Sequence, residues 1–301
     1  MILWAQKLRS LAKAMLPTWA FRTLRPIWRS IYKGPSNEKI FRWQSRRLFK
    51  IERNLLRYPH ILRRHHIQVV RSLELRGISD NVIEEANKDI MNFTWDNSGR
   101  PVFDVVRIPS MIESVLFANE LDGEVAECGV FHGSSAKIIR HFASLDKTLY
   151  LFDTFTGFTV EDREIEAKLG TGVDPGNSFA DTNLEFAKST ILSRMKGKDT
   201  EFGEDSVVFF PGSIKETLHN VEKLQFSLVH LDLDLYEPTK IALRFFIPRI
   251  VNRGLLLLND YAVDRHGYSG VYKAIMESEF KEMAGPLPFG DTSTALFIKT
   301  I

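Results

Sequence analysis

From Arg107 onward the sequence alternates short runs rich in β-branched and aromatic residues with stretches of helical periodicity, and this alternation constrains the fold more than any other feature. Strands alternating with helices form βαβ units, whose strands lie parallel in one sheet covered on both faces. The order is a helix around MIESVLFANEL, a strand EVAECGV, a turn FHGSS, a helix AKIIRHFASL and a strand TLYLFDTF. Then come strand SVVFFPGS, helix IKETLHNVEKL, strand FSLVHLDLDL, helix PTKIALRFFIPRI and strand GLLLLNDY. TALFIKT reads as a last strand, antiparallel at an edge. Pro238 opens its helix in the first turn, where a missing N–H costs nothing. The expectation is an α/β fold with a doubly wound, mostly parallel sheet, whose ligands collect at the carboxyl ends of the strands.

Charge divides the chain before any motif does. Up to Arg76 there are 18 Lys/Arg against 3 Asp/Glu; beyond it, 22 against 35. We therefore expect a basic helical arm over residues 1–95 and an α/β domain over residues 96–301. In the arm, Leu3, Leu8, Leu11, Ala12 and Met15 fall at helical spacing among Lys7, Arg9 and Lys13, with Trp4, Trp19 and Trp28 along the run. Basic residues recur too often for a spanning helix, which needs about 20 apolar residues, or for a secretory signal. Three roles stay open for the arm. Its apolar face packs on the acidic body or on a second subunit of a homo-oligomer; it lies in an anionic membrane interface on the cytoplasmic side; or it meets nucleic acid through phosphates, without a reading motif. The lone cysteine, Cys128, excludes an internal disulfide and suits a reducing, cytoplasmic setting.

Two clusters carry chemistry. Glu127-Cys128-Gly129-Val130-Phe131-His132-Gly133-Ser134-Ser135 is a strand-turn-helix junction with two glycines four apart. This is neither the G-x-G-x-x-G of dinucleotide binding nor a phosphate loop with its Lys-Ser/Thr, which disfavours NAD and ATP. Asp153, twenty residues past Gly133, ends the next strand where an acid holds ribose hydroxyls. A glycine turn followed by that acid points to a nucleoside without a diphosphate. In the second cluster, His230, Asp232 and Asp234 alternate with leucines, so strand geometry would set the three polar groups on one face. The neighbouring strand ends in Asn259-Asp260-Tyr261, and oxygens from both could converge on a hard cation such as Mg²⁺.

The motifs VAECGVFHGSSA, LYLFDTFTGF, FADTNLEFAKSTI, VVFFPGSIKETL, FSLVHLDLDLYEPTKIALRFFIPRIVNRGLLLLNDY and GVYKAIMESEF, in this order, resemble the macrocin O-methyltransferase (TylF-like) family over roughly residues 105–300. The resemblance implies a class I S-adenosylmethionine-dependent methyltransferase with a Rossmann-like, mostly parallel seven-stranded sheet and helices on both faces. It further implies that Glu127, Gly129, Gly133 and Ser134 line the methionine half of the cofactor. Asp153 would hold the ribose and Gly212 and Ser213 flank the adenine, with Phe155 and Asp232 completing the cofactor-binding set. Asp232, Asn259 and Asp260 match the family's Mg²⁺ positions, and Asp232, Asp234 and, in the following loop, His266 are the candidate catalytic residues. The family commonly carries two adjacent acids before the tyrosine. Here Asn259 stands first, which removes one charge from the site.

The implied activity is O-methylation of a sugar or polyol hydroxyl on a small molecule or glycan. A catechol-like phenol is the alternative acceptor, and a non-catalytic nucleoside-binding module the alternative class. The stretch FTGFTVEDREIEAKLGTGVDPGNSFADTN is too long for an ordinary connection and reads as a lid, with Phe155, Phe158 and Phe179 to close it.

Overall fold

The computed structural model of the chain describes residues 72–79, 82–83, 101–169, 176, 178–193, 204–261, 269–280, 282–289 and 294–300. Most of the basic arm, His266 and residues 170–175 lie outside them. Seven strands form one sheet: β1 Glu124–Cys128, β2 Leu149–Asp153, β3 Val207–Pro211, β4 Phe226–Leu231, β5 Ile250–Leu258, β6 Met283–Pro288 and β7 Ala295–Lys299. Their order is β3-β2-β1-β4-β5-β7-β6. Pairs from β3 to β5 are parallel, while β7 runs antiparallel to both neighbours. The chain winds outward from β1 to β3, then returns to the other side of β1 at β4. Between β1 and β4 it therefore leaves the crevice in which sheets of this kind bind ligands.

A sheet covered on both faces needs apolar residues at successive positions, and LLLL in β5 supplies them. Leu255 and Leu257 enter one core layer, with Ile108, Met111, Ile112 and Val115 of α1 (Pro101–Ala118). On that face lie also α2 (Ser134–Phe142) and, past β2, the short α4 (Leu184–Leu192), which contributes Ala187 and Ile191. Leu256 and Leu258 enter the opposite layer with residues from α5 (Ile214–Thr217), α6 (Tyr236–Phe246) and α7 (Ser269–Glu277). The described part of the N-terminal region belongs to the first layer: Leu73, Val82 and Ile83 are buried there, and the Ser72 hydroxyl donates to Glu113 on α1. Among the described residues no helix is long and apolar enough to cross a membrane.

Three expectations change. β7 is antiparallel but internal; the edge is β6, which carries Pro286 and Pro288 as edge strands tolerate. The helix read over IKETLHNVEKL is one short α-helical turn followed by a 3-10 turn, Leu218–Val221. The stretch read as a lid contains a helix, α3 (Val160–Leu169), whose buried Glu166 accepts a hydrogen bond from the Tyr236 amide at 2.9 Å. That carboxylate supplies the first turn of α6 with the cap its own N-cap residue, Leu235, lacks. Lys215 of α5 reaches Glu161 at 3.0 Å from the other side, so α3 is a packed part of the domain.

Candidate active site

The strand ends are joined edge to edge just beyond the sheet. The Gly129 amide donates to Phe152 O at 2.9 Å, Asp232 N to Cys128 O at 2.8 Å, Asn259 N to Leu231 O at 2.8 Å and Gly212 N to Asp153 O at 2.9 Å. These bonds fix four loops as one ledge, and above it opens a cavity of about 650 Å³. Cofactor-sized sites fall in this range. Phe131, Phe179, Asp234 and Asp260 line the cavity and have positive φ, which non-glycine residues adopt at a cost. Such strain clusters where a binding site over-determines the backbone.

Of the residues singled out in the sequence, Gly129, Ser134, Asp153, Gly212, Ser213, Asp232, Asp234, Asn259 and Asp260 border the cavity. Glu127, Gly133 and Phe155 do not. Glu127 is fully buried and accepts from His230 Nδ1 at 2.8 Å, beneath the site rather than in it. Burial disfavours the charged His230 ring, but the hydrogen bond and charge of Glu127 raise its pKa above the ordinary value. Phe155 turns into the core, 3% exposed. Gly133 starts α2 at φ +87° and fits against α4: a Cβ there would lie 2.6 Å from Ile191 Cγ1. Both glycines of the turn therefore serve protein packing, since a Cβ on Gly129 would meet the Asp232 carbonyl oxygen at 1.8 Å.

Asp153 borders the cavity but is engaged by the turn itself. Its Oδ2 accepts from the amides of Val130 at 2.6 Å and Phe131 at 2.9 Å, and its Oδ1 from Phe155 N at 2.7 Å. The carboxylate thus fixes the turn after β1, and its remaining lone pairs are what it can offer a ligand. Hydrogen bonds to a charged group contribute about 1.5–3 kcal/mol each. Asp153→Ala removes all three and is therefore expected to cost more than one such bond, at least about 3 kcal/mol of stability, read as a lowered denaturation midpoint. An unchanged midpoint would show that these amides find other acceptors.

Asp232, Asp234 and Asp260 each offer a carboxylate oxygen, and the three oxygens lie within 4.8 Å of one another. Strand alternation is not the reason. β4 ends at Leu231, and Asp234 reaches the cluster from a left-handed turn at φ +61°, while Leu233 packs against the core and also borders the cavity. Burial and the charges of Asp260 and Asp232 hold the Asp234 pKa well above the usual carboxylate range. Asn259 points its amide nitrogen at Asp232 Oδ1, 2.6 Å away. Its Oδ1 accepts from Arg107 Nη2 at 3.2 Å and Thr294 Oγ1 at 2.9 Å.

Over the cavity Phe131, Phe158 and Phe179 meet edge to face, with centroids 5.2 and 5.4 Å apart, forming an aromatic roof. Arg107, Thr294 and Asp162 are site-region residues that motif reading missed. Arg107 sits on α1, Thr294 just before β7, and Asp162 lines the cavity from α3 while bonding the Thr159 hydroxyl at 2.6 Å. None lies in a motif of its own, so only tertiary placement reveals them.

Comparison with known proteins gives a consistent assignment. Residues 59–284 match the model of the family described as "Macrocin-O-methyltransferase (TylF)". The 8-demethyl-8-(2,3-dimethoxy-alpha-L-rhamnosyl)-tetracenomycin-C 4'-O-methyltransferase of Streptomyces olivaceus is 26% identical over 202 residues, 62% of this chain and 74% of that protein. The mycinamicin III 3''-O-methyltransferase of Micromonospora griseorubida is 26% identical over 181 residues, 52% of this chain and 66% of that protein. Among solved structures, the calicheamicin methyltransferase CalS11 shares the fold with a TM-score of 0.52 at 19% identity, covering 72% of this chain and 91% of that one. The O-methyltransferase NovP does so with a TM-score of 0.51 at 20% identity, covering 73% and 88%. With three quarters of its length matched to one family model, this chain belongs to the macrocin-O-methyltransferase (TylF) family of O-methyltransferases.

Proposed function

We propose that the protein transfers a methyl group from S-adenosylmethionine to a hydroxyl of a sugar or other polyol, assisted by Mg²⁺. The observation that carries this reading is the cluster of three carboxylate oxygens on the ledge that also bears the glycine turn, within one cavity. Three hard oxygen donors suit Mg²⁺, which keeps water or substrate oxygens in its other positions. The tetracenomycin relative supports the acceptor class, because the substrate in its name carries a rhamnosyl group.

Each part of the cavity has a task. The N-terminus of α2, at Ser134 and Ser135, borders the cavity, and the positive end of a helix suits the carboxylate of a methionine moiety. Asp153 has lone pairs left for ribose hydroxyls, and Gly212 and Ser213 border the adenine end. The aromatic roof keeps water from the sulfonium. Bound S-adenosylmethionine supplies the methyl, and Mg²⁺ held by the aspartates would lower the proton affinity of an adjacent alcohol. In the displacement the C–S bond breaks as the C–O bond forms, S-adenosylhomocysteine leaves, and the hydroxyl proton passes to a carboxylate. Asp232 and Asp234 both border the cavity, and Asp234, which Asn259 does not bond as it does Asp232, is the carboxylate we assign to that step.

The test combines calorimetric titration of S-adenosylmethionine with mass spectrometry of rhamnosides and catechols incubated with and without Mg²⁺. We expect heat on titration, a mass increment of one methylene on the sugar, and loss of product with EDTA. Absence of heat removes the cofactor assignment. Methylation of catechols alone removes the sugar assignment.

A further inference from the structure

Asn259 stands between a cation and a carboxylate, and its partners dictate which way its amide faces. A guanidinium only donates and an ionised carboxylate only accepts, so the oxygen must face Arg107 and the NH₂ must face Asp232. Thr294 adds a second donor to Oδ1 at 2.9 Å. Both lone pairs of that oxygen are thereby engaged, one of them by a permanent positive charge. A metal ion arriving at Oδ1 would have to displace the guanidinium and then remain beside it, which Coulomb repulsion opposes. Asp234 has the opposite character: its carboxylate offers an oxygen within 4.8 Å of those of Asp232 and Asp260.

Building on the Mg²⁺ assignment above, we propose that Asp234 completes the cation's ligand set with Asp232 and Asp260, whereas Asn259 and Arg107 stand outside it and position Asp232. The Asn259 NH₂ holds one oxygen of Asp232 at 2.6 Å and so leaves the other for the cavity. The Arg107–Asn259–Asp232 chain passes the orientation of α1 to the acidic cluster through hydrogen bonds alone. It also substitutes a neutral donor where a carboxylate would place a fourth negative charge against Asp232.

The experiment uses the full chain and Mn²⁺ as the probe, with free and bound ion measured by electron paramagnetic resonance. S-adenosylmethionine calorimetry on every variant verifies a folded site. Asp234→Asn is expected to weaken Mn²⁺ binding at least tenfold, and Asp234→Ser, run beside it, to do the same should one side chain disturb the turn. Asn259→Ala is expected to weaken it threefold or less while altering the line shape of the bound ion, because Asp232 loses its donor. A tenfold loss in Asn259→Ala with Asp234 variants near wild type would overturn the ligand set. A bound-ion spectrum unchanged by Asn259→Ala would overturn the positioning role. If wild type takes up S-adenosylmethionine but no Mn²⁺, the Mg²⁺ assignment falls first and this proposal with it, a result distinct from either reversal.

Discussion

Asp234→Asn is expected to lower kcat by about 10²- to 10⁴-fold, the usual contribution of a positioned general base, while S-adenosylmethionine affinity changes little. Asparagine accepts the left-handed conformation that Asp234 adopts at φ +61°, so the turn survives the exchange. What is lost is the proton acceptor and one carboxylate oxygen of the cluster. The same substitution should raise stability. Burial and the neighbouring Asp260 and Asp232 raise the folded-state pKa of Asp234 above its unfolded value. Its linkage contribution is therefore fully present below the unfolded pKa and is lost as pH rises through the folded pKa. As pH rises the cation-free wild type therefore loses stability that the neutral amide of the Asp234→Asn variant keeps. A slower but more stable variant would mark Asp234 as a residue retained for chemistry at the expense of the fold. Product mass spectrometry and urea denaturation read the two effects; a kcat within a few-fold of wild type would remove Asp234 from the proton transfer.

The parallel sheet was legible because its signal is local and repeated. Each of β1 to β5 is a short apolar run followed by a helix, and two-sided burial makes such runs almost continuous. β6 was not legible, since MAGPLP has the prolines and glycine that usually mark a break, and only pairing with β7 makes it a strand. α3 escaped for a related reason. VEDREIEAKL is polar on most sides, and its one buried side chain is a carboxylate reaching the amide of Tyr236 seventy residues away. Nothing in its own periodicity records that partner.

At the site, residue type was more legible than residue role. Asp232, Asp234 and Asp260 were identifiable because acids at the ends of adjacent strands must meet. Their convergence, however, depends on left-handed turns at Asp234 and Asp260 that strand alternation does not describe. The family resemblance implies that Glu127 lines the cofactor, yet here its carboxylate bonds His230. Asn259 reads as a weakened metal ligand, and its actual bonds depend on Arg107 and Thr294, 152 and 35 positions distant. Such roles belong to side-chain orientation, which spacing leaves open.

The second large effect concerns the ledge itself. Gly129→Ala places a methyl 1.8 Å from the Asp232 carbonyl oxygen and 2.7 Å from its carbonyl carbon, against backbone that no rotamer can move aside. Forcing atoms into a packed site costs about 1–3 kcal/mol, and a non-glycine residue held at φ +85° adds about 1–3 kcal/mol more. Against a total domain stability of about 5–15 kcal/mol, the sum is a large share. Relief requires Asp232 to shift away from β1, which stretches the 2.8 Å bond from Asp232 N to Cys128 O and disturbs the contact between Asp232 and Asn259. The turn after β1 and the acidic cluster should therefore fail together. We expect a denaturation midpoint far below wild type and, in whatever fraction still folds, loss of both S-adenosylmethionine and Mn²⁺ binding. Gly212→Ala is the comparison: its nearest neighbour would be Thr217 Cγ2 at 3.4 Å, so it introduces backbone strain without a backbone collision. If Gly129→Ala proved no more damaging than Gly212→Ala, close apposition of β1 and β4 would not be what holds the two halves of the site in register.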